Sequence, residues 1–300
     1  MSNGMQEEKC MAGKVVVITG AGGGIGRDIA LCMGRHGAKV VVNDVSDNAD
    51  AVVGELRAEG AEAIASKESV AQWESAQRII TTALDVFGRI DCVVNNAGIL
   101  RDRFFFNMSR AEWSDVLDVH LNGSFNVARA AAPHMKAQGA GAFVHMTSTS
   151  GLIGNLGQAN YAAAKMGIVG LSKSIALDMA KFNVRSNCIA PWAWTQMTSG
   201  IPSDTPEEKA RVEKFKRMES HKIAPLVVYL CSDLSSHVTA QIFGARANEL
   251  YLFSQPQILR SIHRDGGWSV HSIAEHAIPA MQASFSPNVV SIKHTPWDPV

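Results

Sequence analysis

Residues Lys14 to Gly26 read KVVVITGAGGGIG. A β-branched run ends at Thr19, a glycine cluster follows, and Arg27 to Gly37 (RDIALCMGRHG) then has helical spacing. The segment is therefore a strand, a tight loop and a helix. Gly20, Gly24 and Gly26, with Ile25 between the last two, bring bare backbone to the positive end of that helix. Missing side chains let N–H groups approach a pyrophosphate there. The spacing departs from the usual GxGxxG, so the flanking strand and helix carry the reading.

The same alternation repeats outward along the chain. Lys39 to Val42 is a second strand ending at Asn43-Asp44, and a helix around Ala49 to Glu59 is stopped by Gly60. Ala61 to Ser66 and Ile90 to Val94 are strands on either side of a helix over Trp73 to Phe87. Glu112 to Gln138 reads as one long helix with a bend at Pro133, followed by a strand over Gly141 to Met146. A helix over Tyr161 to Lys181 and a strand over Val184 to Ile189 complete the pattern. Strands separated by helices demand crossovers. The expected fold is α/β: a single Rossmann-like domain, a doubly wound parallel sheet with helices on both faces, plus a C-terminal extension.

Composition narrows the partners. The 300 residues carry 28 basic and 28 acidic side chains, which leaves no basic footprint for nucleic acid or anionic lipid. A small-molecule substrate is expected, with no nucleic acid and no membrane. The five cysteines are scattered without a CxxC pair, which reads as reduced thiols, and no metal site is implied. MSNGMQEEKC lacks the basic start and apolar run of a secretory signal.

Asp44 lies where an acidic residue receives ribose hydroxyls, about twenty residues beyond the loop. A carboxylate there repels a 2′-phosphate, favouring NAD over NADP; a turn-initiating aspartate is the plain alternative. Tyr161 and Lys165 are four apart in a helical segment and share a face. A neighbouring ammonium stabilises a phenolate and brings the phenol within range of proton transfer. Ser148 follows the fifth strand at a carboxyl edge, where its hydroxyl can meet a substrate oxygen.

TGAGGGIG, NNAG at Asn95 to Gly98, Asn122, Ser148 and Tyr161-x-x-x-Lys165 together resemble the motif series of the short-chain dehydrogenase/reductase family, from about Gly13 to Phe243. The resemblance implies that Tyr161 is the general acid/base and that Ser148 orients the substrate oxygen. It implies that Lys165 binds the nicotinamide ribose and lowers the tyrosine pKa, and that Asn122 holds a water in the proton relay. Asn95, Ala97 and Gly98 would line the adenosine side, with Ser69 and Val70 by the adenine and Thr195 at the carboxamide.

Leu100-Arg101-Asp102-Arg103, Glu68-Ser69-Val70 and Gly157-Gln158-Ala159-Asn160-Tyr161 are similar to the (3R)-hydroxyacyl-CoA dehydrogenase units of peroxisomal multifunctional enzyme type 2. That similarity implies NAD and a 3-hydroxyacyl-CoA/3-oxoacyl-CoA pair. A 17-hydroxysteroid dehydrogenase and a 3-oxoacyl-carrier-protein reductase are the alternatives. A catalytically silent dinucleotide-binding or structural subunit is the rival of another class. A homodimer or homotetramer is expected. Asp298-Pro299-Val300 is not a Ser-Lys-Leu address, so the expected location is cytoplasmic.

The chain also departs from the family pattern. Pro191-Trp192-Ala193-Trp194 stands where Pro-Gly is usual, and Phe243-Gly-Ala-Arg stands where Asp-Gly-Gly is usual. Trp192, Trp194, Leu152 and Ile153 are candidate walls of an apolar substrate pocket, with ordinary core packing the alternative for the tryptophans. The expected organisation is a tail over 1–12, the Rossmann domain over 13–243 and an extension over 244–300. Within the domain, 199–222 is either a substrate lid or a solvated surface helix.

Overall fold

Val15–Thr19 forms β1, an interior strand of an eight-stranded sheet, and every residue of it is buried. A strand covered on both faces must be apolar throughout, which is why VVVIT shows no alternation. The structure is a computed structural model that describes residues 9–195 and 204–294. Val16 and Ile18 enter the core on one face, whereas Val15 and Val17 enter the core on the other. Successive side chains of a strand point to opposite faces, so one short segment feeds both cores.

The glycine loop leads into α1 (Gly24–Arg35) and β2 (Lys39–Asn43), then α2 (Asn48–Ala58) and β3 (Ala63–Ser66). The chain crosses back through α3 (Trp73–Phe87) to β4 (Cys92–Asn95), which pairs with the free side of β1. Ala76, Ile79, Ile80 and Ala83 of α3 are buried at helical spacing, and Gly88 at φ 76° ends the helix by donating to Leu84 O.

Next come α4 (Arg110–Leu117), α5 (Gly123–Gln138), β5 (Gly141–Met146), α6 (Thr149–Leu152), α7 (Ala159–Met179) and β6 (Val184–Trp192). They are followed by α8 (Pro206–Lys216), α9 (Ala224–Cys231), β7 (Ile242–Arg246) and β8 (Glu249–Leu252). The sheet order is β3-β2-β1-β4-β5-β6-β7-β8, parallel except for β8. Chain direction across the sheet reverses between β1 and β4. Ligands of such sheets bind outside the carboxyl ends of the strands at that point.

Two expectations need correction. The helix expected over Glu112 to Gln138 runs unbroken through a π-helical turn over Asp118–Asn122, which the sequence reading did not foresee and which separates α4 from α5; Pro133 lies inside α5. One surplus residue per turn is how such a segment re-aims side chains without ending a helix. The domain boundary at Phe243 falls inside β7, and the sheet runs on to Leu252 because a two-residue turn folds β8 back on β7. Of the candidate lid, 204–222 contains α8, capped by Thr205 and Glu208, with Phe215 packed toward Trp192. Positions 199–203 lie outside the described residues, as do 1–8 and 295–300 with the terminal tripeptide read above.

Candidate active site

Five strand ends and the loops after them meet at one edge of the sheet. They enclose a cleft of about 350 Å³ whose walls include Gly20, Gly22, Gly24, Ile25 and Gly26 from the first loop. Asp44, Asn96, Gly98, Thr147, Tyr161, Lys165 and Thr195 also line it.

The glycines are there for space. A Cβ on Gly26 would lie 2.3 Å from Gly20 O, and one on Gly22 would lie 2.8 Å from the Asp44 carboxyl carbon. No side chain fits at either position, and the bare loop leaves a cradle of backbone beside α1. Asp44 steadies the opposite rim by accepting from Gly22 N at 3.1 Å, Ser46 N at 3.0 Å and Ser46 Oγ at 2.8 Å.

Asn96 reads this loop from the β4 side, donating from Nδ2 to Thr19 O and Gly20 O at 3.0 Å each. Thr19 Oγ1 in turn accepts from Asn96 N and Ala97 N. Sequence reasoning singled out neither Asn96 nor Thr19. The doubled asparagine of NNAG and the hydroxyl closing the first strand were the available signals. Asn95, expected in the cleft, is buried instead, with its Nδ2 near Ser124 O at 3.3 Å and His145 Nδ1 at 3.1 Å. Alternation along β4 sends neighbouring asparagines to opposite sides.

Ser148 caps α6, accepting from Ser150 N at 3.1 Å, and its side chain is near enough to Tyr161 to pull the phenol's pKa down. Lys165, one turn beyond Tyr161 on α7, is buried and donates from Nζ to Met146 O at 2.6 Å. Its Nζ lies 5.5 Å from the centre of the Tyr161 ring.

Burial governs both groups: it pushes the Tyr161 phenol up to about 12, against the pull of the nearby Ser148 hydroxyl, and Lys165 down to about 7. The expected lowering of the phenol by Lys165 is thus not what this arrangement gives. The amine is turned to a backbone carbonyl, and desolvation favours the neutral form of each side chain.

Other expected residues are placed differently. Asn122, in the π turn, is exposed and donates from Nδ2 to Asp118 Oδ1 at 2.7 Å. Ser69 Oγ accepts from Ala71 N, and Val70 packs where a Cβ on Gly123 would be; neither lines the cleft. Trp192 lies against Phe215 and under the Arg246 guanidinium, while Trp194 N donates to Met218 O at 2.7 Å. Leu152 packs on the Ile168, Val169, Cys188 and Ile242 cluster, and Ile153 is part-buried beside it. None of these four side chains lines the cleft. The extension returns to this side, where Ser291 N donates to Gly154 O at 2.9 Å.

Two buried histidines flank the site. Burial, assisted by the Lys165 charge, holds His120 at about 3 and His145 at about 4. The unfolded chain therefore binds protons that the folded chain refuses. Their contribution to stability is complete above the unfolded value of about 6.5 and is lost as pH falls below it toward the folded values. Urea unfolding is expected to lose about 1 kcal/mol per pH unit for each histidine between about pH 6 and 4.5. A stability that is flat across that range would contradict the burial of both as neutral rings.

Residues 20–245 match the family described as enoyl-(acyl carrier protein) reductase. The chain is 46% identical over 232 residues to the peroxisomal multifunctional enzyme type 2 of Mus musculus, a match covering 74% of this chain and 30% of that protein. It is 39% identical over 270 residues to hydroxyacyl-CoA dehydrogenase ChsB1 of Mycobacterium tuberculosis, covering 85% of this chain and 84% of the relative. The crystal structure of a short chain dehydrogenase from Mycobacterium avium superposes with a TM-score of 0.83 at 35% identity, covering 93% of this chain and 98% of that one.

Proposed function

The chain belongs to the short-chain dehydrogenase/reductase family, whose members act on CH–OH groups, and from that premise we propose that it interconverts a 3-hydroxyacyl-CoA and its 3-oxoacyl-CoA using NAD. The observation that carries the reading is Tyr161 and Lys165 together on the wall of a glycine-lined cleft, with Ser148 beside the phenol. Bare backbone at Gly22 and Gly26 fits a dinucleotide pyrophosphate, since a Cβ there would collide with Asp44 or with Gly20 O and Asn96 and force the loop out of shape.

When bound, the nicotinamide supplies the hydride acceptor or donor. The protein supplies the rest. Ser148 and Tyr161 direct their hydroxyls at the substrate oxygen, and Tyr161 takes its proton in oxidation and returns it in reduction. Lys165 and Thr195 would hold the nicotinamide half of the cofactor, and Gly20 to Gly26 its phosphates. The acyl thioester is supported by likeness to a relative named as a hydroxyacyl-CoA dehydrogenase over most of both chains. Assembly as a homodimer or homotetramer goes with this reading. It is supported by an apolar groove of about 450 Å³ between α5 and α7, which includes the exposed ring of Phe125.

Asp44 supports NAD, because its carboxylate lines the cleft between neutral neighbours Ser46 and Asn48. An added 2′-phosphate would meet that charge directly. Asp44→Ala is expected to raise kcat/KM for NADP relative to NAD by about tenfold, equivalent to about 1.4 kcal/mol. Equal efficiency with both cofactors in the parent would remove this role. The reaction itself is tested by supplying NAD with (3R)- and (3S)-hydroxyacyl-CoA esters, 17-hydroxysteroids and simple secondary alcohols. Turnover confined to steroids or simple alcohols would overturn the thioester assignment.

A further inference from the structure

His120 is 1% exposed, yet its Nδ1 has no hydrogen-bond partner among the described residues. A buried polar atom left unpaired costs about 1–3 kcal/mol, so stability does not account for a histidine at this position. What the imidazole does supply is contact with both halves of the site. Its ring stands edge-to-face with Tyr161, the centroids 5.1 Å apart and the planes at 89°. Its Nε2 lies 2.8 Å from Ile99 O and 3.0 Å from Ile99 N. The same ring occupies the place of a side chain on Gly98, where a Cβ would fall 2.3 Å from His120 Cε1.

We propose that His120 is a positioning residue that holds the ring of Tyr161 and the Gly98–Ile99 wall of the cleft in one fixed relation. The π turn is the device that delivers it. The turn rotates His120 inward while Asn122, two residues on, faces solvent, and Ser124 Oγ donates to the His120 carbonyl at 2.6 Å. A shift of the imidazole would move the phenol and the cofactor wall together. The titratable groups whose charge reaches this pair are Lys165 on α7 and Asp102 in the loop after β4. Burial and Lys165 keep the ring itself uncharged at neutral pH, so it acts by shape and hydrogen bonding, not by moving a proton.

The inference builds on the role proposed for Tyr161, but its test does not need turnover. The chain has three tyrosines, so tyrosinate absorbance corrected with Tyr161→Phe isolates Tyr161. His120→Ala opens space for water at the phenol and should bring Tyr161 ionisation down by about one pH unit, with folding checked by circular dichroism. It should also weaken NADH binding and lower kcat by about tenfold, since the near-attack geometry is lost.

His120→Phe keeps a ring on Tyr161 and removes the tie to Ile99. That variant should titrate like the parent while binding NADH about threefold or more weakly. Unchanged titration and NADH affinity in either folded variant would overturn the proposal. So would a Tyr161 shift in His120→Phe as large as in His120→Ala, because the ring would then not be what holds the phenol. If the parent oxidises no alcohol at all, the proposed function fails while the titration still decides the role of His120.

Discussion

Tyr161→Phe is expected to lower kcat by about a thousandfold or more while leaving NADH affinity within about twofold of the parent. The substitution removes one oxygen. The ring, its contact with His120 and the backbone of α7 all remain, so the effect reads proton transfer rather than folding. In oxidation the phenol must lose its proton before accepting one from the alcohol. Burial pushes Tyr161 up to about 12, and only the nearby Ser148 hydroxyl pulls the other way. Oxidation should accordingly become faster as pH rises through the alkaline range, and ketone reduction, which needs the neutral phenol, should not.

Ser148→Ala removes the one group that favours the phenolate here, so its oxidation profile should move to still higher pH. Steady-state rates in both directions, measured beside NADH fluorescence titration, separate these effects. Dehydrogenase activity in Tyr161→Phe above about a tenth of the parent would sink the mechanism.

How much of this was legible in the sequence depends on whether a residue acts through the backbone or through a contact made across the fold. Strand-loop-helix at Lys14 to Arg35 was readable because apolar period, glycine clustering and helix spacing are local signals. Tyr161 and Lys165 were readable for the same reason, being one turn apart on one helix. Gly20, Gly24, Ile25, Gly26, Asp44, Gly98 and Thr195 all line one cleft.

The failures share a cause. Asn122 and His120 are both polar and two residues apart, and the sequence does not mark the π turn that buries one and exposes the other. Asn95 and Asn96 exchange roles because strand alternation decides which faces the loop. Trp192 and Trp194 have the bulk of pocket walls, but Phe215 of α8, Met218 and Glu219 just after it, and Arg246 at the end of β7, all farther along the chain, supply the partners that engage them. The direction of the Tyr161 shift was misjudged because helix spacing gives proximity to Lys165, whereas burial is a property of the whole fold.

Gly26→Ala should be the second large effect, weakening NADH binding by about tenfold or more and costing about 1–3 kcal/mol of stability. The backbone at Gly26 lies in the first turn of α1 and has no positive φ, so alanine is conformationally acceptable there. The objection is steric. The new methyl would stand 2.3 Å from Gly20 O, 2.6 Å from Asn96 Nδ2 and 2.9 Å from Ala21 Cα. Two of those atoms belong to backbone and cannot turn away. The third belongs to the side chain whose amide ties Thr19 O and Gly20 O together, so its displacement unfastens the loop from β4.

Loop and β4 wall would then separate just where the cleft must be narrow, which is why binding and stability should fall together. Gly23→Ala provides the contrast. A Cβ at Gly23 meets nothing within 4 Å and the backbone there is extended at φ −173°, so stability should change by less than about 0.5 kcal/mol. Urea unfolding and NADH titration of both variants test the argument. If Gly26→Ala binds NADH as tightly as the parent, the close approach of α1 to the first strand end is not what shapes the cofactor cradle.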